Sequence, residues 1–430
     1  MERLLDMAVS EAQKVEVYRV KSQVRTVKFQ SNRLKSVDAA SGEGIGLRVI
    51  RKGKIGFSST TDPDDPRLLI QRALDSSQFG QQAHFRMPSP GKIPPIQCHD
   101  RRTAALEAQE MIKEGEEAIH LVRKEFPHLE CEAQIEAVER EVSILNSQGL
   151  SQSYKKTGYE FFVYGFLAKE QEFLGVGEAE SSSKYATYSR ALAERLIELV
   201  KLAMRRVRIS SGRYPAIFTP KAVPFLLQSL RVGINGKAIH KKISPLLKKM
   251  GTPIASSCLN IVDDATFPFG PSSSPLDGEG IPSRRTQIIE EGRLKSFIYD
   301  LQTAGLMETR STANAARSYN SLPSPSTTNL ILQEGEVPLE EMTQDIKEGI
   351  LVDQVIGSGQ GNILMGEFSV NLDLGYKIKD GKIRGRIKNV MISGNTYKML
   401  KELVAIGRDA RFVGSVRTPP LYFKEINVVG

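Results

Sequence analysis

The 430-residue sequence has no tryptophan and only three cysteines and five histidines. Each scarcity removes a class of explanation. Cys98, Cys131 and Cys258 stand far apart and form no CxxC pair, so neither a disulfide framework nor a cysteine-rich zinc site is expected, which fits a reducing compartment. The histidines at 84, 99, 120, 128 and 240 are followed by Phe85, Asp100, Leu121, Leu129 and Lys241, so no HExxH motif can exist. A zinc peptidase needs two imidazoles one helical turn apart with a carboxylate beside them to activate water. His120 and His128 are separated by eight positions and by Pro127, and a solvated or capping role suits them better. A GxSxG elbow is missing as well. The adjacent Cys98-His99 reads as a loop thiol beside a surface imidazole, because neighbouring residues rarely make a catalytic dyad.

Long apolar runs are also missing. The first residues, Met1 to Asp6, lack a basic segment leading into an apolar one, and the longest apolar stretch, Phe161 to Ala168, is interrupted by Gly165 and too short for a bilayer. A soluble, cytoplasmic protein without membrane contact is expected. The formal charge of +9, from 59 Lys+Arg against 50 Asp+Glu, could attract phosphate. The surplus is spread thinly, however, with short clusters such as Lys241-Lys242 and Lys248-Lys249, and no nucleic-acid-binding signature accompanies it. Nucleic acid is not an expected partner.

What is present is globular composition, 40% hydrophobic and 25% charged, in a chain longer than one core usually supports. Helical spacing in Leu4, Leu5, Met7, Ala8 and Ala12 gives way to alternation through Val15, Val17, Val24, Val27 and Phe29. Gly44 to Phe57 reads as a hairpin around Lys52-Gly53, and Asp62-Pro63 as the cap and first turn of a helix to Ser77. A proline-rich connection at Pro88, Pro90, Pro94 and Pro95 precedes a predicted helix from Arg102 to Phe126, buried through Ala105, Ile112, Ile119 and Val122. A hairpin at Ser147-Gln148-Gly149, further strands and a helix over 185–207 complete an α+β domain, residues 1–208. Residues 209–430 are predicted to form a mostly antiparallel β domain, barrel- or sandwich-like, with turns at Glu291-Gly292 and Asp380-Gly381 and helices near 221–231, 338–348 and 397–405.

Two glycine-rich segments could carry chemistry. Gly357-Ser358-Gly359-Gln360-Gly361 lacks the Gly-Lys-Ser/Thr ending of a P-loop, which leaves a flexible turn or a backbone contact to a ligand. In Asp277-Gly278-Glu279-Gly280, followed by Arg284-Arg285, the carboxylates could act as acid and base, or more simply form a charge-paired turn. Neither is convincing catalytic machinery.

Several segments, taken together, resemble one family, the TldD/TldE (PmbA) proteins once called modulators of DNA gyrase. In the first half these are Gly44 to Ile50 and Ile55 to Thr60. In the second they are Asn260 to Asp264, Asp277 to Thr286, Ile289 to Lys295 with Tyr299-Asp300, Gly366 to Val370, Ile392 to Asn395 and Ala405 to Asp409. The TldD-like member of that family carries HExxxH upstream of the Asp-Gly-Glu-Gly segment and a cysteine ligand near its C-terminus. Here the matching places, 228–233 and 415–416, hold no such ligands. The resemblance therefore implies the zinc-free TldE/PmbA subunit, with no cofactor in this chain and zinc in a TldD-like partner. It further implies a heterodimer that cleaves unstructured peptides, with a homodimer conceivable alone; the family's older name suggests a stand-alone regulatory protein as the alternative. A peptide or partner cleft would then involve Asp277, Gly278, Glu279, Gly280, Arg284, Arg285, Gly366, Glu367 and Phe368. No residue of this chain would be catalytic.

Overall fold

The computed structural model describes residues 1–62, 64–169, 172–357 and 361–430. Helix α1 (Glu2–Val9) leads into strands β1 (Lys14–Gln30), β2 (Arg33–Arg51) and β3 (Lys54–Thr60). Helices α2 (Pro66–Ser77), α3 (Arg101–Ala104) and α4 (Ala108–Glu125) are followed by strands β4 (Glu130–Asn146), β5 (Ser151–Lys169) and β6 (Glu172–Ser182), and then by α5 (Ser189–Met204). Among the described residues the six strands make one antiparallel sheet in the order β3-β2-β1-β4-β5-β6.

Period-two alternation divides this sheet into two chemically different faces. On one face, Val15, Val17, Leu47 and Val49 pack against Leu4 and Ala8 of α1 and Leu69 and Ala73 of α2. Further along, Val27, Cys131, Ile135, Phe161 and Val163 pack against Ile119 and Val122 of α4 and Leu192 and Leu196 of α5. The intervening positions Glu16, Tyr18 and Arg48 are also buried, so the opposite face is covered too. What covers it is the second half of the chain.

That half contains β7 (Gly212–Phe218), α6 (Val223–Gly233), α7 (Gly236–His240), β8 (Ile261–Asp264), β9 (Arg285–Glu290), β10 (Arg293–Leu294), α8 (Leu301–Leu306), β11 (Ala315–Ala316), β12 (Ser324–Pro325) and β13 (Leu330–Leu332). It continues with α9 (Leu339–Gln344), β14 (Glu348–Ile356), β15 (Glu367–Lys379), β16 (Lys382–Arg386), β17 (Met391–Asn395), α10 (Thr396–Lys401), β18 (Leu403–Ile406), β19 (Arg411–Val413), β20 (Val416–Thr418) and β21 (Leu421–Val429). Strands β14-β7-β21-β17-β15 pair in turn, and β15 returns to β14, which closes the sheet into a barrel. An open sheet, β10-β9-β8-β13-β20-β19, lies on the other side of α6. Leu226, Leu227 and Leu230 of α6 share one core with Phe218, Val352 and Ile392 of the barrel and Ile261, Ile288 and Leu330 of the open sheet. Pairing between these strands is antiparallel apart from β14–β7 and β13–β20 among the described residues. The architecture is α+β, as expected.

Local departures from the expectation have identifiable causes. Helix α2 starts at Pro66, not at Pro63, because Asp65 is the residue whose carboxylate accepts the Leu68 N–H, at 3.0 Å; Pro63 lies outside the described residues. The same Asp-Pro logic applies three residues later. The helix expected from Arg102 is interrupted over 105–107: Asp100 caps α3, and a capping box between Glu107 and Glu110 starts α4 afresh. Ala105 is consequently exposed and Ile112 half-buried, whereas Ile119 and Val122 are buried as expected. In the glycine-rich segment at 357–361, Ser358, Gly359 and Gln360 lie outside the described residues.

Candidate functional site

Asp277 to Gly280 forms a tight turn pressed onto the sheet face that carries Glu16 and Arg48. One Asp277 oxygen accepts the backbone N–H groups of Glu279 and Ile281, both at 2.9 Å, and the other that of Ala315 at 3.2 Å. Glu279 is fully buried and meets Arg48 at 2.7 Å, while its second oxygen accepts the Leu301 N–H at 2.7 Å. Arg48 also pairs at 2.7 Å with Glu16, its cross-strand neighbour, and the far oxygen of Glu16 receives Arg317. A chain Glu279–Arg48–Glu16–Arg317 thus runs through the interior and ties the two halves together. The turn is charge-paired, but its partner is Arg48 and neither of the arginines that follow it in sequence.

The electrostatics are uneven along this chain. Burial opposes ionisation of Glu16, yet the Arg48 and Arg317 guanidiniums hold its carboxyl below the ordinary range. Burial and the neighbouring Glu279 push Asp277 up to about 7. Burial also pushes Glu279 up, with Arg48 opposing and Asp300 adding to the effect. Arg317 lies 4.5 Å over the Tyr18 ring, its side chain wholly buried, and its Nε and one terminal nitrogen have no acceptor among the described residues.

Beside this chain lies a cavity of about 590 Å³. Arg140 and Lys156 from β4 and β5, Arg231 from α6 and Arg317 supply its cations, Asp277 its carboxylate, and Tyr18, Tyr154 and Tyr319 its aromatic surface. Arg231 donates from Nε to the Thr327 hydroxyl at 2.9 Å. Lys156 donates to the Ser273 carbonyl at 3.3 Å, and burial together with Arg140 pushes its ammonium down. Ser415 also lines the cavity, so 228–233 and 415–416, far apart in sequence, both reach it. Nearby, Asp263 is raised to about 6 by burial while it accepts from Asn314 at 2.6 Å and from the Thr328 N–H at 2.6 Å and hydroxyl at 2.9 Å.

The other candidate residues are placed differently. Arg284 pins a neighbouring segment by donating to the carbonyls of Ser311 and Thr312, and Arg285, at the start of β9, is exposed. Gly366 ends a 3-10 turn with a left-handed backbone, Glu367 is exposed, and the Phe368 ring packs edge-on against Phe225 at 5.2 Å. Glu367 and Phe368 line a separate cavity of about 610 Å³ with Arg213 and Lys398. Asp277 and Gly278 line the first of these cavities, and Glu367 and Phe368 the second.

Sequence reasoning had missed Glu16, Arg48, Arg140, Lys156 and Arg317. The first two left a signal, a lone charge between apolar neighbours inside an apolar strand segment: Glu16 between Val15 and Val17, and Arg48 between Leu47 and Val49. The like-charged pair Arg140 and Lys156 left none, because only strand register brings them opposite each other.

A metal does not fit this cavity. Among the described residues no three His, Cys, Asp or Glu side chains converge as ligands, and a guanidinium at Arg231 and a hydroxyl at Ser415 are poor substitutes for imidazole and thiolate.

Residues 211–430 match the PmbA/TldA metallopeptidase C-terminal domain, and residues 15–77 match the PmbA/TldA metallopeptidase domain 1. An uncharacterized protein of Methanocaldococcus jannaschii is 27% identical over 431 residues, covering 99% of this chain and 98% of its own. Metalloprotease PmbA of Escherichia coli O157:H7 is 23% identical over 452 residues, covering 99% and 94%. The crystal structure of TldE from Thermococcus kodakarensis superposes with a TM-score of 0.93 at 23% identity, covering 100% of both chains, and so shares the fold.

Proposed function

Because the chain belongs to the PmbA/TldA metallopeptidase family, whose C-terminal domain it matches over residues 211–430, we propose that it is the non-catalytic, zinc-free subunit of a TldD/TldE-type protease. In this reading it acts in the cytoplasm, pairs with a zinc-bearing TldD-like sibling and helps to hold unstructured peptides for it. The observation that supports the proposal is the cavity lined by both Arg231 and Ser415, residues of the two segments in which the resemblance would put the metal ligands of a TldD-like chain.

The division of labour is physically coherent. Bound zinc supplies a Lewis acid and an activated water in the sibling; this chain need only wall off solvent and hold an extended backbone, which binds by main-chain hydrogen bonds without sequence demands. Asp277 to Gly280 would form the cavity wall, exposed Arg285 and Glu367 the outward face toward the sibling, and Arg284, Gly366 and Phe368 the support beneath.

The test is co-expression with the HExxxH-containing sibling. Peptidase activity is expected from the pair and from neither chain alone, with zinc recovered in the sibling. Stoichiometric zinc in this chain by itself, with chelator-sensitive activity, would overturn the proposal. Arg285→Glu is expected to slow the mixed complex while leaving the melting temperature of the lone chain unchanged, since exposed substitutions usually alter stability little.

A further inference from the structure

We propose that the cavity beside the Asp277 turn is a carboxylate-binding site for peptides, with Arg140, Lys156 and Arg231 as its receptor. The inference rests on the reading of this chain as a peptide-holding subunit and names the group on the peptide that it recognises.

The first observation is a pair of like charges with no carboxylate between them. Arg140 and Lys156 are register partners on neighbouring antiparallel strands, where like charges directly opposite destabilise a sheet. Lys156 is half-buried and leans on the Ser273 carbonyl, Arg140 reaches the cavity from an exposed position, and among the described residues neither cation has a carboxylate within ion-pairing distance. Several buried or half-buried cations do have carboxylates, Arg48 with Glu16 and Glu279, Lys221 with Glu178 and Asp353, and Arg411 with Glu178, whereas buried Arg386, like Lys156, has only a backbone carbonyl, that of Phe173.

The second observation is that the cavity's own carboxylate is not available to them. Both oxygens of Asp277 are occupied by backbone N–H groups of Glu279, Ile281 and Ala315, and its raised pKa keeps it partly neutral near pH 7. It offers the cations little charge. The third is the attitude of Arg231. With Nε committed to Thr327, its two terminal nitrogens make no other hydrogen bond among the described residues, which leaves the forked edge that matches a carboxylate.

A carboxylate on a peptide fits better than a nucleic-acid phosphate. The space of about 590 Å³ is bounded by Tyr18, Tyr154, Tyr319 and Leu276 as well as by the cations, and suits an extended chain with a charged end more than a polyanion, which needs a basic track. The carboxylate could be the C-terminus or an Asp or Glu side chain, and the test separates these sources.

The full-length chain, without its sibling, is titrated against N-terminally labelled octapeptides of Gly, Ser and Ala, read by fluorescence anisotropy at low salt. Three forms are used: free C-terminal acid, C-terminal amide, and amide with one internal Glu. The acid is expected to bind at least about 10-fold tighter than the plain amide, a carboxylate-guanidinium contribution of about 1.4 kcal/mol. Arg140→Gln and Lys156→Gln should each collapse that preference, with melting temperatures at or above wild type, while Lys52→Gln on a remote hairpin turn should preserve it. If the internal Glu restores affinity, the site takes side-chain carboxylates; if not, it reads the chain end.

Equal binding of acid and amide, no peptide binding at all, or Arg140-dependent binding of inorganic phosphate alone would each overturn the inference. Failure of the parent reading looks different. An active mixed complex with no acid preference sinks only the carboxylate site, whereas an acid preference in the lone chain with no activity on adding the sibling sinks only the subunit assignment.

Discussion

Two buried ionic clusters cross between the halves of the chain, and they are built on opposite plans. In the first, Glu178 of β6 receives Lys221 at 2.8 Å, Arg411 at 2.7 Å and Arg195 at 3.2 Å, and Lys221 goes on to Asp353 at 2.6 Å. Burial opposes the Glu178 charge, but Lys221 and Arg411 outweigh it and hold the carboxyl down at about 2. In the second, Glu279–Arg48–Glu16–Arg317, the pairs are as short, yet Nε of both arginines lacks an acceptor among the described residues and Asp277 alongside is raised. The first cluster, in which only Asp353 Oδ2 lacks a hydrogen-bond partner among the described residues and that atom still meets the Lys221 ammonium, is a fastening. The second borders the cation-lined cavity through Arg317 and Asp277.

The largest effect that would break this contrast is at Glu178. Glu178→Gln removes the ion-pair partner of half-buried Arg411 and one of the two of Lys221 around a carboxylate that is itself buried, and urea denaturation is expected to show a loss of about 3 kcal/mol. Glu279→Gln should cost less, about 1–3 kcal/mol, since Arg48 keeps Glu16. Equal losses would erase the distinction between the two clusters.

Acidity sharpens it further. Asp277 binds its proton more tightly when folded, up to about 7, than in the unfolded chain, near 4. Its contribution therefore favours the folded state at low pH and is lost as pH rises from about 4 to about 7, with a slope of at most about 1.4 kcal/mol per pH unit. Asp263, raised to about 6, acts in the same direction. Stability measured from pH 5 to 8 should fall, and Asp277→Asn should flatten that fall; an unchanged slope would show that Asp277 is ionised throughout. Glu178, held low, has the opposite sign, its contribution being lost only in acid as pH falls from about 4 towards 2.

The smallest effect has a reversed sign. Arg140→Gln removes a repulsion without breaking a pair, so the lone chain should gain about 0.2–1 kcal/mol. A decrease in melting temperature would mean that Arg140 already has a stabilising partner.

How much of this was legible in the sequence follows from what sequence encodes locally. Alternation and apolar runs marked β1, the Gly44–Phe57 ends of β2 and β3, the end of β4, and β5 and β6, but not residues 33–43 of β2 or 130–141 of β4; the Glu291-Gly292 and Asp380-Gly381 turns were readable because both residues of each adopt positive φ. The break in the helix at 105–107 was not, since it depends on two caps, Asp100 and Glu107, acting inside an otherwise helical pattern. The Asp277 turn stood out by composition, but its partner Arg48 lies 231 residues away, and no spacing rule reaches that far. Barrel closure through β14 and β15 and the convergence of Arg140, Lys156 and Arg231 are likewise products of register and topology.

The loop between β11 and β12 carries Tyr319 onto β2, where a methyl group added to Gly44 would sit 2.3 Å from the tyrosine ring and one added to Gly46 would sit 2.3 Å from the Tyr319 carbonyl oxygen. Two glycines near the start of the chain are thus fitted to one aromatic residue near position 320. Recombination between relatives at a crossover near 209 would inherit that fit only when both parents preserve it, so a chimera taking its first half from a parent with alanine at position 44 should assemble poorly, and changing that single alanine to glycine should rescue it.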